Sequence, residues 1–95
     1  MADQNGSTQN GNVGTVEQVT GVVIDVAFPD HVPEIFHALE IDVPPEGGRT
    51  EGRLVCEVQQ HLGDERVRAI AMDATDGVKR GDKVTDTKKI KLKKS

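Results

Sequence analysis

The side chains in this sequence that could do chemistry are few and scattered. Its three histidines, His31, His37 and His61, lie at irregular distances from one another and from Cys56, the single cysteine. None of these intervals matches the spacing of metal-binding residues, so we expect each histidine to be a surface or hydrogen-bonded structural residue. Cys56 lies on the apolar face of an alternating segment, which predicts a buried structural thiol rather than a nucleophile.

The acidic residues show no catalytic pattern either. The spacing of Asp73, Asp76 and Asp82 does not fit a calcium-binding loop, and we expect these residues to stabilise turns. Asp25 and Asp42 flank apolar strand residues and are expected at the surface. The sequence contains no G-x-x-x-x-G-K-[ST] loop that could bind a triphosphate. We therefore predict no catalytic, cofactor-binding or metal site in this chain.

Charge is distributed unevenly along the sequence. Twelve basic and 16 acidic residues give a formal net charge of −4, but five of the lysines fall within residues 88–95. The remaining body is strongly acidic, which argues against direct binding of nucleic acid. No apolar run approaches the ~20 residues that would cross a bilayer, so we expect no direct membrane insertion. Without a targeting signal, the expected location is the cytoplasm or the cytoplasmic face of a membrane.

Alternating apolar residues predict short strands. Val22, Ile24, Val26 and Phe28 share one face of a segment that stops at Pro29. The segment Ile35–Ile41 fits either a helical stripe or an alternating strand. Prolines at 33, 44 and 45 leave too little length for a stable helix, which favours the strand.

A long hairpin is predicted from Leu54 to Met72. The turn lies near Gly63, which can supply the positive φ that hairpins often need. Ile70 and Met72 share parity with Arg66 and Arg68, so the second strand contains either a bulge or apolar contacts on both faces. Six short strands in all favour a small closed β-barrel over a sandwich, because closure removes unpaired edges. Only 35% of the residues are hydrophobic and only two are Phe, so the core buries little apolar area. We therefore expect the domain to be stabilised by contacts with neighbouring proteins.

Three regions follow from this pattern. Residues 1–13 are polar and predicted to be disordered, residues 14–87 form the barrel, and residues 88–95 form a lysine-rich tail. Three interpretations of the tail compete: a foreign end on a fragment, a solvated tail without a specific role, or a polybasic tether for anionic lipid or nucleic acid.

Residues 14–87 also carry a family resemblance. The matching segments are GTVEQVTGVVIDVAFPD, the HALE strand, and EVQQHLGDERVRAIAMDATDGVKRGDKVTDT. Together they resemble the N-terminal domain of the beta subunit of F-type ATP synthases. The combination of QHLG, VRAIAMD, the D-x-T-D-G turn and RG-x-x-V is more specific than any one of these motifs. The resemblance implies a six-stranded barrel.

The resemblance also implies a function. In that family the barrels of alternating alpha and beta subunits join into a ring, the crown, which holds the catalytic head together during ATP synthesis and hydrolysis. The implied partners are alpha subunits, and the implied location is the cytoplasmic face of an energy-transducing membrane.

MgATP or MgADP would bind a later domain of the parent subunit, so the present chain alone is expected to be inactive. After Thr87 the family continues into a linker, whereas this chain ends KKIKLKKS. The alternative is a free-standing β-barrel module whose polybasic tail binds anionic lipid or nucleic acid.

Overall fold

Six antiparallel strands form a closed barrel in the computed structural model, which describes residues 12–43 and 52–90. Around the barrel the strands follow the order β1-β2-β5-β4-β3-β6, and β6 returns to pair with β1. The predicted all-β, six-stranded barrel is confirmed. The strands are β1 (Val13–Thr20), β2 (Val23–Ala27), β3 (His37–Asp42), β4 (Arg53–Gly63), β5 (Arg66–Ala71) and β6 (Lys83–Ile90).

The inner face of the barrel is almost entirely aliphatic. Successive strand side chains point to opposite faces, so every second residue enters the core. Phe28, directly after β2, has the largest side chain in the core and is fully buried. Arg53, Glu57, Arg66 and Arg68 lie on the outer face. The buried apolar residues are Val16, Ile24, Val26, Phe28, Leu39, Ile41, Val43, Leu54, Cys56, Val58, Val67, Ala69, Ala71 and Val84.

The two ends of the barrel differ. β1 begins and β6 ends at the same end, which we call the entry end. The β4–β5 turn and the segment joining β2 to β3 also lie there. The opposite, far end carries the β1–β2 turn and residues 72–82. That segment is tied to β1, because the backbone N–H of Gly81 donates to the carbonyl of Val16 and the N–H of Val16 donates to Asp82.

Two strand starts differ from the prediction. Val22 was expected inside with Ile24, but it lies in the β1–β2 turn beside Gly21 (φ 62°) and is 48% exposed. The predicted strand Ile35–Ile41 begins only at His37. Phe36 adopts φ 74°, outside the extended region, because its backbone N–H donates to the carbonyl of Val58 and the chain turns there.

Both ends of the barrel sequence extend beyond the predicted limits of the domain. Asn12 is buried and Val13 opens β1, although both had been placed in the N-terminal segment. β6 continues through Lys88 and Lys89 to Ile90, which had been placed in the tail. The rest of these two segments, residues 1–11 and 91–95, lies outside the described residues, as does most of the proline- and glycine-containing loop between β3 and β4.

The parity conflict in β5 has a simple resolution. β5 pairs with β2 in unbroken register, which rules out a bulge in that ladder, and the outer residues of β5 are half-buried. Its inner face is Val67, Ala69 and Ala71, and its outer face carries Ile70 after two arginines. The bulges lie in β4, where the register shifts between Val58 and Gln60 and between His61 and Gly63. An apolar side chain therefore points outward from this strand.

The β4–β5 turn is strained. Gly63 has φ 85°, as the sequence predicted, but it pairs with Arg66 and leaves Asp64 and Glu65 as the two central residues. Both have positive φ, 55° and 64°, the arrangement of a type I′ turn, which favours Asn and Gly. A left-handed conformation costs an L-residue roughly 1–2 kcal/mol.

Relief of this strain is a testable consequence. We expect Glu65→Gly to raise the free energy of unfolding by about 0.5–1 kcal/mol, since the relieved strain exceeds the extra chain entropy of glycine. The bond from the Phe28 N–H to the Glu65 carbonyl would remain. Urea unfolding measures the change. Glu57→Gly, in the extended part of β4, is the matched control and should destabilise; equal losses in both variants would contradict the prediction.

Candidate functional site: the outer face and a buried polar cluster

A cluster of polar residues closes the entry end of the barrel. Asp86 in β6 is buried, and its side chain accepts hydrogen bonds from residues of two other segments. The Asn12 Nδ2 lies 3.0 Å from Oδ2, and His37 Nδ1 lies 3.2 Å from Oδ1. The backbone N–H of Lys88 donates to Oδ1 at 2.8 Å. We call Asn12, His37 and Asp86 the Asp86 cluster.

The cluster ties β6 to the strands on both of its sides. The Asp86 backbone N–H donates to the Asn12 carbonyl, just before β1, while its side chain reaches His37 at the start of β3. Because a carboxylate only accepts, His37 must present Nδ1–H to it. Asn12 Nδ2 also donates to the His31 carbonyl at 2.6 Å. These hydrogen bonds hold β6 between β1 and β3 and so keep the barrel closed.

Several other residues singled out in the sequence make structural hydrogen bonds. His61 Nε2 lies 2.7 Å from the Pro33 carbonyl, to which it donates, so two of the three histidine side chains are hydrogen-bonded within the protein. Asp73 and Asp82 accept backbone N–H groups in their own turns, as predicted. No group of three or more His, Cys, Asp or Glu able to hold a metal occurs among residues 12–43 and 52–90.

Cys56 is buried in the barrel core, as the alternation predicted. Its apolar surroundings disfavour the thiolate and raise the pKa of the thiol from 9.0 to about 12. A thiol that keeps its proton at neutral pH and has no access to solvent is a poor nucleophile. The structure therefore gives Cys56 a packing role.

This burial predicts a pH dependence. Above pH 9.0 the unfolded chain loses the Cys56 proton while the folded barrel keeps it until about pH 12. The unfolded state then binds fewer protons, so the free energy of unfolding falls as pH rises through this window, by up to about 1.4 kcal/mol per pH unit. Urea unfolding across this range tests the slope. Cys56→Ala should be less stable at pH 8 but show a smaller decline; parallel curves would contradict the assignment.

Within residues 12–43 and 52–90, three cross-strand ion pairs lie on the outer face. Arg68 binds Asp25 through two bonds of 2.9 and 3.1 Å, and this hydrogen bonding, with the attraction between the charges, raises the pKa of Arg68. The sequence predicted Asp25 to be a surface residue. It lies on the outer face, but its side chain is mostly covered in this ion pair. The pairs Arg66–Glu17 and Arg53–Glu40 are longer, at 3.7 Å each, and exposed, so each contributes little to stability.

Beside these pairs lies an apolar area that the sequence had not identified as a surface. Val23 is paired directly with Ile70, and the Met72 N–H donates to the Val55 carbonyl on the neighbouring strand. Val22 and Met72 are 48% and 43% exposed, and the others are half-buried. We call Val22, Val23, Val55, Ile70 and Met72 the outer patch. Large apolar areas on a polar surface are typical of protein interaction sites, so these side chains are candidates for such a contact.

The fold places this chain in the class of small closed β-barrel domains. Its ion pairs and its apolar patch lie on the outer face of the barrel. The sequence model of the ATP synthase alpha/beta family, beta-barrel domain, matches residues 16–88. The chain therefore belongs to this family. Membership implies a place in a hetero-oligomeric ring of alpha and beta subunits. No helix long and apolar enough to cross a membrane occurs in the residues that the structure describes.

Proposed function

We propose that this chain is the barrel domain of a beta subunit and serves as a scaffold within the alternating alpha/beta ring of an F-type ATP synthase. The family match over residues 16–88 carries the proposal. The choice of beta over alpha rests on the similarity of QHLG, VRAIAMD and the D-x-T-D-G turn to beta subunits. The proposed location is a peripheral complex on the cytoplasmic face of an energy-transducing membrane.

The geometry suits a scaffold. A closed barrel has no free strand edge, so it cannot recruit neighbours by adding strands to its sheet. Its partners must instead contact side chains on the outer face. An aliphatic core with one buried aromatic ring gives modest stability, and a domain that binds its neighbours in the folded state gains stability from them.

The sequence contains no G-x-x-x-x-G-K-[ST] phosphate-binding loop, which supports the proposal that this chain binds no nucleotide. MgATP or MgADP would belong to another domain of the parent subunit, and we propose no catalytic step for this chain. A free-standing module with a polybasic tail is less well supported, because the family match extends into β6 as far as Lys88.

Binding to purified subunits tests this function. Sedimentation velocity of the chain with the alpha subunit from the same source should show a hetero-complex, whereas mixing with the beta subunit should not. Preference for the beta subunit would identify the chain as an alpha-type barrel. No association with either subunit, or turnover of MgATP by the chain alone, would refute the proposal.

A further inference from the structure

Two sulfur-containing residues lie in the part of the chain that the structure describes, and their surroundings are opposite. Met72 is 43% exposed, whereas Cys56 is 1% exposed and belongs to the barrel core. The other methionine, Met1, lies outside the described residues. Oxidation of a sulfur side chain depends on its access to the oxidant and, for a thiol, on the fraction present as thiolate. The fold therefore decides which sulfur atom reacts.

The exposure of Met72 is fixed by the strands around it. Ala71, directly before it, is buried, and successive residues of an extended strand point to opposite faces. The Ala71 N–H donates to the Val22 carbonyl and the Met72 N–H donates to the Val55 carbonyl, both at 2.8 Å. Burying Met72 would require a shift of one residue, which would turn the outer side chains of β5 into the core. The thioether therefore stays on the outer face while the barrel is folded.

Cys56 is protected in two ways. Its side chain lies inside the closed barrel, where peroxide in the solvent does not reach it. The same burial raises the pKa of the thiol to about 12, so the thiolate that a peroxide would attack is not formed at neutral pH. Oxidation of Cys56 therefore requires the barrel to open.

We propose that Met72 is an oxidation site of the folded barrel, at which hydrogen peroxide converts the thioether to a sulfoxide while Cys56 stays reduced. A lone pair of the Met72 Sδ attacks one peroxide oxygen and the O–O bond breaks. The other oxygen takes the proton of the transferred oxygen and leaves as water. The sulfur is oxidised and the peroxide is reduced, so no further reactant is needed. Methionine sulfoxide reductases catalyse the return to the thioether.

The modification changes the outer patch without opening the barrel. Met72 and Val22 are the two most exposed side chains of the patch, and oxidation makes the first of them polar. Met72 does not belong to the buried core cluster, so the sulfoxide oxygen is hydrated and no core contact is lost. The apolar character of this surface therefore depends on redox conditions. This inference stands independently of the scaffold function.

Peroxide treatment of the full chain at neutral pH tests the site. Protease digestion and mass spectrometry locate the added oxygen. In the folded chain we expect Met72 to be oxidised at least about tenfold faster than Cys56. In urea this preference should be lost, because unfolding exposes the thiol and lets it ionise. Met72→Leu is the matched control, since it keeps an apolar side chain without sulfur, and its residues 52–90 should stay unmodified while it is folded.

Retention on a hydrophobic-interaction column tests the effect on the outer patch. The oxidised chain should elute earlier than the untreated chain, and Met72→Gln should elute early without any treatment. Met72→Leu should elute with the untreated chain and shift much less after peroxide, which also corrects for oxidation of Met1. The urea midpoint of the oxidised chain should equal that of the untreated chain.

Three results would overturn the proposal. Equal oxidation rates for Met72 and Cys56 in the folded chain would show that the barrel does not select between the two sulfur atoms. Oxidation of Met72 in urea alone would show that its thioether is covered in the folded chain. An equal retention shift in Met72→Leu, or a lower urea midpoint after oxidation of the unaltered chain, would show that Met72 does not act as a surface site.

Discussion

Replacing Asp86 by alanine will lower the free energy of unfolding by about 3 kcal/mol, the upper range for leaving a buried hydrogen-bond donor without its acceptor. The change removes the shared, buried acceptor of Asn12 Nδ2, His37 Nδ1 and the Lys88 N–H, of which the bond to Asn12 is fully buried. Small domains are stabilised by only about 5–15 kcal/mol, so this loss is a large share of the total stability. Urea unfolding followed by circular dichroism measures the loss.

Two further variants separate this cluster from a general effect of removing a carboxylate. Asp42→Ala removes an exposed aspartate at the end of β3 and should change stability by less than about 0.5 kcal/mol. Asp86→Asn keeps one acceptor oxygen but adds a donor that faces other donors, so its loss should be intermediate. Similar unfolding midpoints for Asp86→Ala and Asp42→Ala would show that the cluster does not hold the barrel closed.

Gly14→Ala should destabilise the barrel by about 3 kcal/mol, the upper range for overpacking a core. A Cβ at this position would overlap the carbonyl oxygen of Ala27 and lie 2.9 Å from two ring atoms of Phe28. The carbonyl cannot move without breaking strand pairing, and the ring is fully enclosed. Thermal or urea unfolding of the variant checks the magnitude.

The control for this prediction is another glycine. Gly21 has open space where its Cβ would be, but its φ of 62° favours glycine. Gly21→Ala should therefore cost about 1–2 kcal/mol through the backbone alone. A Gly14→Ala loss no larger than that of Gly21→Ala would mean that β1 shifts to accommodate the methyl group and that the contact with Phe28 is not limiting.

The barrel could be predicted from the sequence because its signals are local. The alternation in β2 and β4 and the glycine before the β4–β5 turn indicate strands without knowledge of the fold. Cys56 could be assigned to the core for the same reason. The same reasoning placed the start of β3 too early, at Ile35. Apolar residues continue through Ile35 and Phe36, but the Phe36 N–H donates to the carbonyl of Val58, far along the chain, and the backbone turns there.

The surface features depend on strand order, which the sequence does not specify. Asp25 and Arg68 are 43 residues apart, and their ion pair exists because β2 lies beside β5. The Asp86 cluster joins residues from β6, β3 and the segment before β1, with up to 74 positions between them. The outer patch had one local sign, the parity of Ile70 and Met72 with two arginines, and its meaning became clear only when the register was known.

The position of β6 also bears on how the chain folds during synthesis. β6 is the last of the six barrel strands to be made, yet it completes the barrel by pairing with β1, the first of them, and with β3. Until it emerges, β1 and β3 are the two unpaired edges of an open sheet whose aliphatic inner face is uncovered. Such a state is slow to resolve and prone to aggregate. The nascent chain is therefore prone to aggregate until β6, the strand that carries Asp86, pairs with β1 and β3.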